Sequence, residues 1–324
     1  MPAPKGKGIL AVGGVIVDLI MHSPDQFRVV NGNLCFPFDS KLQVEEFTFD
    51  IGGSAHNVAA NASSLGSKTY ILACIGDEPY GEMAIQNLKT YNVDTKYVSK
   101  VKDMTGMSVV LIHEGEKTIL TYRGANDYLG EEKLNSKILN GIGTVVITSM
   151  ISPENVRITK RLVDEAQKRK IEIVANPSIS MVNHQPEALK YVMKKSQVII
   201  MNGKEAQKIT GCNSPQAALE KLKSYGAKTI IVTLDVRGCI VYDEEAAFHV
   251  PAFKVKVVDT TGGGDSFTAG FVHAKARGFN TLEAVRFAGA VAALNILTPG
   301  ASTDLPTEKE AIKYMKNAKY NYVR

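Results

Sequence analysis

Short runs of apolar, often β-branched residues recur along this chain, and helical patterns separate the later ones. The strand-like runs are 9–12, 70–73, 144–147, 171–174, 198–201 and 229–232. The helical stretches include 57–65, 154–168 and 215–223. Apolar strands that alternate with amphipathic helices are typical of a mainly parallel sheet covered by helices on both faces. The sequence therefore predicts an α/β fold with a doubly wound sheet.

The alternation breaks between residues 22 and 50. This stretch contains clusters of turn-forming residues and then an imperfect strand-like alternation that ends at Phe47 and Phe49. We therefore predict an α/β core of residues 1–21 and 51–324 and a small β appendage at 22–50. A second segment of the appendage is expected near 100–125. A plain surface hairpin is the alternative for 22–50.

The composition limits the classes of partner. Among 324 residues, 44% are hydrophobic and the net charge is +5, with the basic residues dispersed. Dispersed charge favours small anionic ligands such as nucleotides over a nucleic acid. No apolar run approaches the roughly 18 residues of a membrane span, and the first residues lack the apolar segment of a signal peptide. We expect a cytoplasmic protein with no membrane partner, whose four scattered cysteines are free thiols.

Three consecutive glycines, Gly262, Gly263 and Gly264, lie between Asp259 and Asp265 and precede an apolar, helix-like run. A glycine turn that enters a helix gathers unpaired backbone N–H groups, which suit a phosphate or a developing oxyanion. A carboxylate beside such a turn suits a base that takes a proton from a hydroxyl, as in phosphoryl transfer to an alcohol. A simple helix start is the equally weighted alternative for this pattern alone.

The whole string, DTTGGGDSF, resembles the C-terminal signature of the ribokinase-like (PfkB) family of sugar and nucleoside kinases, D-T-x-G-A-G-D. The one departure is Gly263 in place of alanine, which removes no functional group. The resemblance implies a ribokinase-like fold and a kinase that uses ATP and Mg²⁺. It implies that Asp265 is the base and that Gly262, Gly263 and Gly264 donate N–H groups to the transferred phosphoryl group. It also implies a site for K⁺ at Asp259 and Thr261.

The acceptor side of the resemblance lies early in the chain. The string 51–57 resembles the family's G-G-x-x-x-N, which assigns acceptor binding to Gly52, Gly53 and Asn57. Asp18 matches the acidic residue that the family has at the end of its first strand. Arg123 is a further candidate, since it could hold an acceptor carboxylate, although a solvated surface charge is the simpler interpretation. The appendage at 22–50 corresponds to the family's β lid, through which a homodimer could form.

The donor side of the resemblance lies late in the chain. It assigns nucleotide binding to Asn202, Thr233, Gly238, Thr260 and Asn295. Glu205, in the family's N-x-x-E, is expected to act on Mg²⁺ through water. Asp235 departs from the family because it occupies the first glycine of T-x-G-x-x-G. A carboxylate would repel polyphosphate, so we expect Asp235 to point away from the nucleotide or to pair with Arg237.

These motifs predict transfer of the γ-phosphoryl group to a primary hydroxyl of a nucleoside or of a sugar such as ribose. Ser54 disfavours a phosphosugar acceptor, because family members that take phosphosugars often have lysine there. A sugar-acid kinase of the 2-keto-3-deoxygluconate type and a phosphofructokinase-type kinase are alternatives. A dinucleotide-dependent oxidoreductase is disfavoured, because no G-x-G-x-x-G follows the first strand. A non-catalytic nucleotide- or sugar-binding protein with the same fold is a further alternative.

Overall fold

The protein is described by a computed structural model. The described residues are 7–22, 28–113, 116–131, 134, 137–244, 246–298, 300–302 and 304–321. The strands, in chain order, are β1 (Gly8–Val12), β2 (Ile16–His22), β3 (Arg28–Val30), β4 (Asn33–Cys35), β5 (Glu46–Gly52), β6 (Thr69–Gly76), β7 (Val98–Val101), β8 (Gly106–His113), β9 (Glu116–Tyr122), β10 (Ile142–Ile147), β11 (Glu172–Ala175), β12 (Val198–Asn202), β13 (Thr229–Thr233), β14 (Cys239–Asp243) and β15 (Ala246–Val250).

The helices follow the amphipathic stretches of the sequence. They are α1 (Ser54–Ser64), α2 (Pro79–Thr90), α3 (Pro153–Lys168), α4 (Ile179–His184), α5 (Pro186–Lys195), α6 (Gly203–Thr210), α7 (Pro215–Leu222), α8 (Gly263–Ala276), α9 (Thr281–Asn295) and α10 (Glu308–Asn317). On α3, for example, Ile158, Leu162 and Val163 share a buried face, as the helical period requires.

The main sheet of the described chain has nine strands in the order β15-β14-β13-β12-β11-β10-β1-β6-β7. The strands from β7 to β13 are parallel, whereas β14 and β15 form an antiparallel edge. The predicted α/β class with a mainly parallel, doubly wound sheet is confirmed. Because parallel strands end at the same edge, residues far apart in sequence meet where β1, β6, β12 and β13 end.

The sheet is buried on both faces. In β1, Ile9 and Ala11 belong to one hydrophobic cluster, whereas Leu10 and Val12 belong to another on the opposite face. Successive side chains of a strand point to opposite faces, so a strand covered on both sides needs an uninterrupted apolar sequence. This requirement explains why the central strands could be found in the sequence.

A second sheet of four strands, in the order β5-β2-β8-β9, lies outside the main sheet, and β3 and β4 form a separate hairpin. It combines β5 from the predicted appendage at 22–50 with β8 and β9 from the predicted segment near 100–125. It also takes β2, most of which had been assigned to the core. Residues 23–27 of the predicted appendage lie outside the described residues. The domain boundaries and the function of this sheet as a lid stay predictions.

No helix in the described parts of the chain combines the length and apolar character needed to cross a bilayer.

Candidate active site

The glycine turn forms the start of α8 at the carboxyl edge of the main sheet. Gly262, the N-cap residue, has φ +74° and no side chain that caps the helix. A Cβ on Gly262 would lie 2.8 Å from the Ala301 Cβ, so only glycine fits this turn. A Cβ on Gly264 would meet no heavy atom within 4 Å, so the backbone of Gly264 borders open space. An uncapped helix start that borders open space can bind an anion.

Asp265 lies in the first turn of α8 and is half-buried. The Asn57 Nδ2 donates to Asp265 Oδ2 at 2.9 Å, and the Ser54 side chain also hydrogen-bonds to the carboxyl group. Burial raises the pKa of Asp265 to about 7, although the hydrogen bonds from Asn57 and Ser54 act in the opposite direction. A carboxyl group with a pKa near neutrality is suited to general-base chemistry.

Asp18, Gly52 and Asn57 lie together beside Asp265. A Cβ on Gly52 would lie 3.0 Å from Asp18 Oδ2 and 3.6 Å from Asn57 Oδ1. The Ser108 hydroxyl donates to Asp18 Oδ1. The structure corrects one expectation, since Asp18 lies inside β2 of the small sheet rather than at the end of the first strand. The cluster therefore combines groups from the small sheet and from the start of α1.

Gly53 permits a close approach of two backbone segments. Its φ is +98°, and a Cβ there would lie 2.5 Å from the Gly14 carbonyl oxygen. Asn126, which the sequence analysis did not identify, stabilises the neighbouring segment. Its side-chain amide donates to the Val15 carbonyl at 2.8 Å and accepts from the Val15 N–H at 2.9 Å. Gly53 therefore allows these two backbone segments to pack closely. Its contact with the acceptor stays a prediction.

Arg123 is engaged away from this cluster. Its Nε lies 2.7 Å from Asp127 Oδ1, four residues along the chain. The surface-charge interpretation fits this ion pair, and contact with an acceptor stays a prediction.

Asn202 ends β12, and Glu205 follows it at the same edge of the sheet. They form the capping box of α6, because the Asn202 side chain accepts from the Glu205 N–H and the Glu205 side chain accepts from the Asn202 N–H, each at 2.9 Å. Glu205 is 7% exposed. Burial and, as a smaller contribution, the charge of Asp265 raise the pKa of Glu205 to about 7, although hydrogen bonds to Asn202 act in the opposite direction. Glu205 is therefore close enough to Asp265 for the two charges to interact, and a divalent cation near them would offset both.

The described residues contain no group of three or more metal-binding side chains. Mg²⁺ is usually held by one or two carboxylates together with waters and substrate phosphates. The buried Glu205 carboxylate, close enough to Asp265 to shift its pKa, fits this requirement. The chemistry of the donor set is therefore compatible with Mg²⁺ that arrives with a nucleotide.

Thr233 is the last residue of β13, and Asp235 and Gly238 lie in the turn that follows. Gly238 has φ +86°, and a Cβ there would lie 2.0 Å from the Val250 carbonyl oxygen, so this glycine is required by packing. Asp235 is exposed and has φ +52°, a left-handed conformation that aspartate tolerates better than most residues. The orientation of Asp235 relative to the nucleotide stays a prediction. No ion pair between Asp235 and Arg237 is present in the described part of the chain.

Asp259 holds the segment before the glycine turn in place through hydrogen bonds. Its Oδ1 accepts from the Thr261 N–H and hydroxyl at 2.8 and 2.7 Å, and its Oδ2 accepts from the Gly300 N–H at 3.1 Å. Thr260 is exposed, whereas Asn295 is fully buried and donates to the Ala301 carbonyl at 3.2 Å. Asp259 and Asn295 therefore hold the loop that packs on Gly262, and their roles toward K⁺ and nucleotide stay predictions.

Asp50 is a site residue that sequence analysis missed. Its Oδ2 accepts from the Ala301 N–H at 3.1 Å, and its Oδ1 accepts from the Ile51 N–H at 2.8 Å. The Ser302 hydroxyl donates to the Ile51 carbonyl at 2.8 Å. The bonds of Ala301 and Ser302 join β5 of the small sheet to the loop beside α8. No local pattern could have revealed them, because their partners are 251 residues apart.

Comparison with known proteins gives one family match and several similar relatives. The family described as "pfkB family carbohydrate kinase" matches residues 7–308. The ATP-dependent 6-phosphofructokinase of Thermoanaerobacterium thermosaccharolyticum is 29% identical over 97% of this chain and 95% of its own. The ribokinase of Bacillus subtilis is 29% identical over 94% of this chain and 98% of its own.

Two solved structures show the same fold. The Arabidopsis thaliana ribokinase complexed with ribose and ATP superposes with a TM-score of 0.82 at 23% identity, over 96% of this chain and 99% of that one. A putative ribokinase II from E. coli in complex with ATP and Mg²⁺ has a TM-score of 0.84 at 21% identity, with the same two coverages. The ribokinase-like fold predicted from the sequence is confirmed.

Proposed function

Because this chain belongs to the pfkB family of carbohydrate kinases, we propose that it transfers the γ-phosphoryl group of ATP, with Mg²⁺, to a primary hydroxyl of ribose or of a nucleoside. The family assignment makes the chain a phosphotransferase and disfavours the non-catalytic alternative. One observation carries the finer proposal: Asp265 lies between an uncapped helix start on one side and the polar cluster of Asp18 and Asn57 on the other.

The proposed reaction assigns one task to each group. The Asp265 carboxylate takes the proton of the acceptor hydroxyl as its oxygen forms a bond to the γ-phosphorus. The bond from phosphorus to the bridging oxygen breaks, and ADP leaves with that oxygen. The backbone N–H groups of Gly262 and Gly264 would stabilise the charge on the transferred group, whereas the Gly263 N–H donates to the Thr260 carbonyl at 3.3 Å. Glu205 would hold Mg²⁺ through water, and Mg²⁺ would neutralise charge on the phosphates.

The charge around the acceptor cluster favours a neutral polyol. Asp18 and Asp265 both contribute carboxyl groups, and a carboxylate can accept two hydrogen bonds from a vicinal diol. An acceptor phosphate or carboxylate beside them would be repelled. Arg123, the cation proposed for a sugar acid, is paired with Asp127. The 6-phosphofructokinase similarity keeps a phosphofructokinase-type activity as the second candidate, since that relative is as similar as the B. subtilis ribokinase.

A panel of acceptors tests this proposal. ADP formation is measured with ribose, adenosine, guanosine, inosine, cytidine, fructose, fructose 6-phosphate and 2-keto-3-deoxygluconate, each with ATP and Mg²⁺. We expect kcat/KM to be highest for ribose or a nucleoside. A preference for fructose 6-phosphate or for the sugar acid would refute the acceptor assignment. Replacement of K⁺ by a bulky organic cation in the same assay tests the predicted K⁺ requirement.

The small sheet supports a second element of the proposal, a homodimer formed through the lid. Its edge strand β9 exposes Ile119 and Leu120, and β5 exposes Phe47, each by at least half of the residue's surface. An exposed apolar edge strand favours contact with another chain. Light scattering after gel filtration should give twice the mass of one chain, and Leu120→Lys should halve it. A monomeric wild-type protein would exclude the dimer. The cytoplasmic location stays a prediction.

A further inference from the structure

Three polar side chains connect α2 to the proposed base. His56, on α1, is fully buried. Its Nε2 lies 2.8 Å from Asn87 Oδ1, and its Nδ1 lies 3.3 Å from Asn57 Oδ1. Asn57 Nδ2 in turn donates to Asp265 Oδ2 at 2.9 Å. A single buried imidazole thus lies between Asn87 on α2 and the amide that contacts Asp265 on α8.

The hydrogen-bonding requirements of these groups decide where the imidazole proton lies. Burial lowers the pKa of His56, although the hydrogen bonds to Asn57 and Asn87 and the charge of Asp50 oppose this effect. A neutral imidazole has one N–H donor and one acceptor nitrogen. Since Asn57 uses its Nδ2 on Asp265, its Oδ1 must accept from His56, which places the proton on Nδ1.

The same requirement determines the orientation of Asn87. With the proton on Nδ1, Nε2 of His56 must accept a hydrogen bond. The Asn87 amide meets this need when it is turned by 180°, since amide oxygen and nitrogen are assigned from the hydrogen-bond network. The donors then all point in one direction, from Asn87 through His56 and Asn57 to Asp265. Such chains polarise one another and strengthen the bond at the end of the chain.

We propose that His56, held by Asn87, is a positioning residue that fixes the Asn57 amide so that its N–H faces Asp265. This inference rests on the proposed role of Asp265 as the base. An N–H donor stabilises the carboxylate, whereas a turned amide would present its oxygen and favour the protonated acid. Among the described residues, Glu205 on α6 and Ser54 on α1 also interact with Asp265. Asp50 on β5 also acts on His56 through its charge.

The first test reads the imidazole proton directly and needs no activity. Two-bond ¹H–¹⁵N correlation spectra of the full chain, labelled with ¹⁵N-histidine, distinguish the two neutral tautomers and the imidazolium. The His56 signals are identified by their loss in His56→Asn. We expect neutral His56 at pH 7 with the proton on Nδ1. Protonation on Nε2 alone would overturn the proposal, because Nδ1 would then have no proton to donate to Asn57 Oδ1.

The second test uses kinetics with a matched pair of variants. His56→Leu removes the N–H, whereas His56→Asn keeps an N–H on the atom bonded to Cγ, as Nδ1 is. In a plot of kcat against pH, the acidic limb is the fall of kcat at low pH. We expect His56→Leu to move this limb by about one pH unit to higher pH, so that its kcat is about tenfold below that of the wild type under pH 7 and recovers near pH 9. His56→Asn should keep the limb within about 0.3 pH unit of the wild type.

Other kinetic results would refute positioning. An equal loss of kcat at every pH, or an identical loss in both variants, would mean that His56 contributes packing alone. If His56→Leu does not fold, the pH dependence of kcat in His56→Asn decides. An acidic limb that moves to another pH would contradict the proposal, and an acidic limb that stays at the wild-type pH would support it.

Asp265→Asn separates this inference from the proposed function. If Asp265→Asn keeps normal turnover, the base assignment fails, while the tautomer spectrum still decides how Asn57 is held. If Asp265→Asn is inactive as expected, adding His56→Leu should lower its residual kcat less than twofold. A full tenfold loss in that background would show that His56 acts on something other than Asp265, which would overturn the inference.

Discussion

Asp265→Asn should inactivate the enzyme and at the same time stabilise the fold. Loss of a positioned acid–base group lowers kcat by about 100-fold or more. The effect on stability follows from the raised pKa. Burial raises the pKa of Asp265 from 3.8 to about 7, so the folded chain holds its proton over a pH range where the unfolded chain releases it. Above pH 7 the folded chain instead carries a desolvated carboxylate.

The sign and the pH window of this effect can be worked out. Below pH 3.8 both states are protonated and the carboxyl group has no net effect on folding. As pH rises to about 7, the wild type loses stability, and above that value the loss is constant. The pKa change corresponds to about 4 kcal/mol, at about 1.4 kcal/mol per pH unit. Because Asp265 is only half-buried, solvent screening reduces the expected value to about 2 kcal/mol.

Asparagine at 265 is neutral at every pH and can still accept the hydrogen bond from Asn57. We therefore expect the free energy of unfolding of Asp265→Asn to exceed that of the wild type by about 2 kcal/mol at pH 8 and by about 0.5 kcal/mol at pH 4.5. Urea unfolding of both proteins at pH 4.5, 6 and 8 measures this difference. Removal of the Asp265 charge also lowers the pKa of Glu205, which adds to the stabilisation at high pH.

Asp235→Asn is the matched control, since it neutralises an exposed carboxyl group at a position where asparagine also tolerates the positive φ. Its unfolding free energy should stay within about 0.5 kcal/mol of the wild type at all three pH values. A pH-independent difference between Asp265→Asn and the wild type would refute the argument that the carboxyl group is desolvated. The kcat/KM of the wild type should rise with pH through about 7, because the free enzyme must present a carboxylate.

Three further predictions follow from the same geometry. In thermal denaturation, Gly262→Ala should lower the free energy of unfolding by about 2 kcal/mol, because of the positive φ and the contact with Ala301. Gly264→Ala should raise the free energy of unfolding by up to about 1 kcal/mol. Equal effects of the two substitutions would contradict the open space at Gly264. In calorimetry, Asp235→Gly should change ATP affinity less than twofold, and a gain above about tenfold would show that Asp235 faces the nucleotide. In hydrogen exchange, the peptides of β3, β4 and β5 should gain protection when acceptor binds, and unchanged protection would favour a fixed hairpin over a lid.

The parts of the fold that could be predicted are those with a local physical cause. The central strands were found because burial on both faces requires an uninterrupted apolar sequence, as in β1 and β12. The antiparallel edge strands β14 and β15 were not found. β15 has one buried residue, Val250, and an exposed edge strand lacks the apolar signal of a central one.

The site was predictable where one motif holds it and unpredictable where the tertiary fold holds it. The start of α8 with Asp265 lies in nine consecutive residues, so its chemistry could be recognised in the sequence. Asn126 and Asp50 were missed because their partners, Val15 and Ala301, lie 111 and 251 residues away. Asp18 was assigned to the wrong strand, since one strand and the next are separated by only three residues, 13–15.

The helix starts of this protein differ in a way that itself indicates function. The helices α6, α9 and α10 all begin with a complete capping box, in which both side-chain hydrogen bonds are present. The helix α8 begins at glycine with no side-chain cap, and it lies beside the half-buried Asp265 and the buried Glu205, whose pKa values are both raised to about 7. The helices α1, α4 and α5 also begin without a side-chain cap, so the missing cap alone does not set α8 apart. Missing caps and desolvated charges both reduce stability, so their combination at the start of α8 brings no structural advantage. An unfavourable local arrangement of this kind is expected where a bound ligand makes it favourable. Phosphate groups would accept hydrogen bonds from the N–H groups at the start of α8, and a divalent cation would offset the charge of the two carboxyl groups.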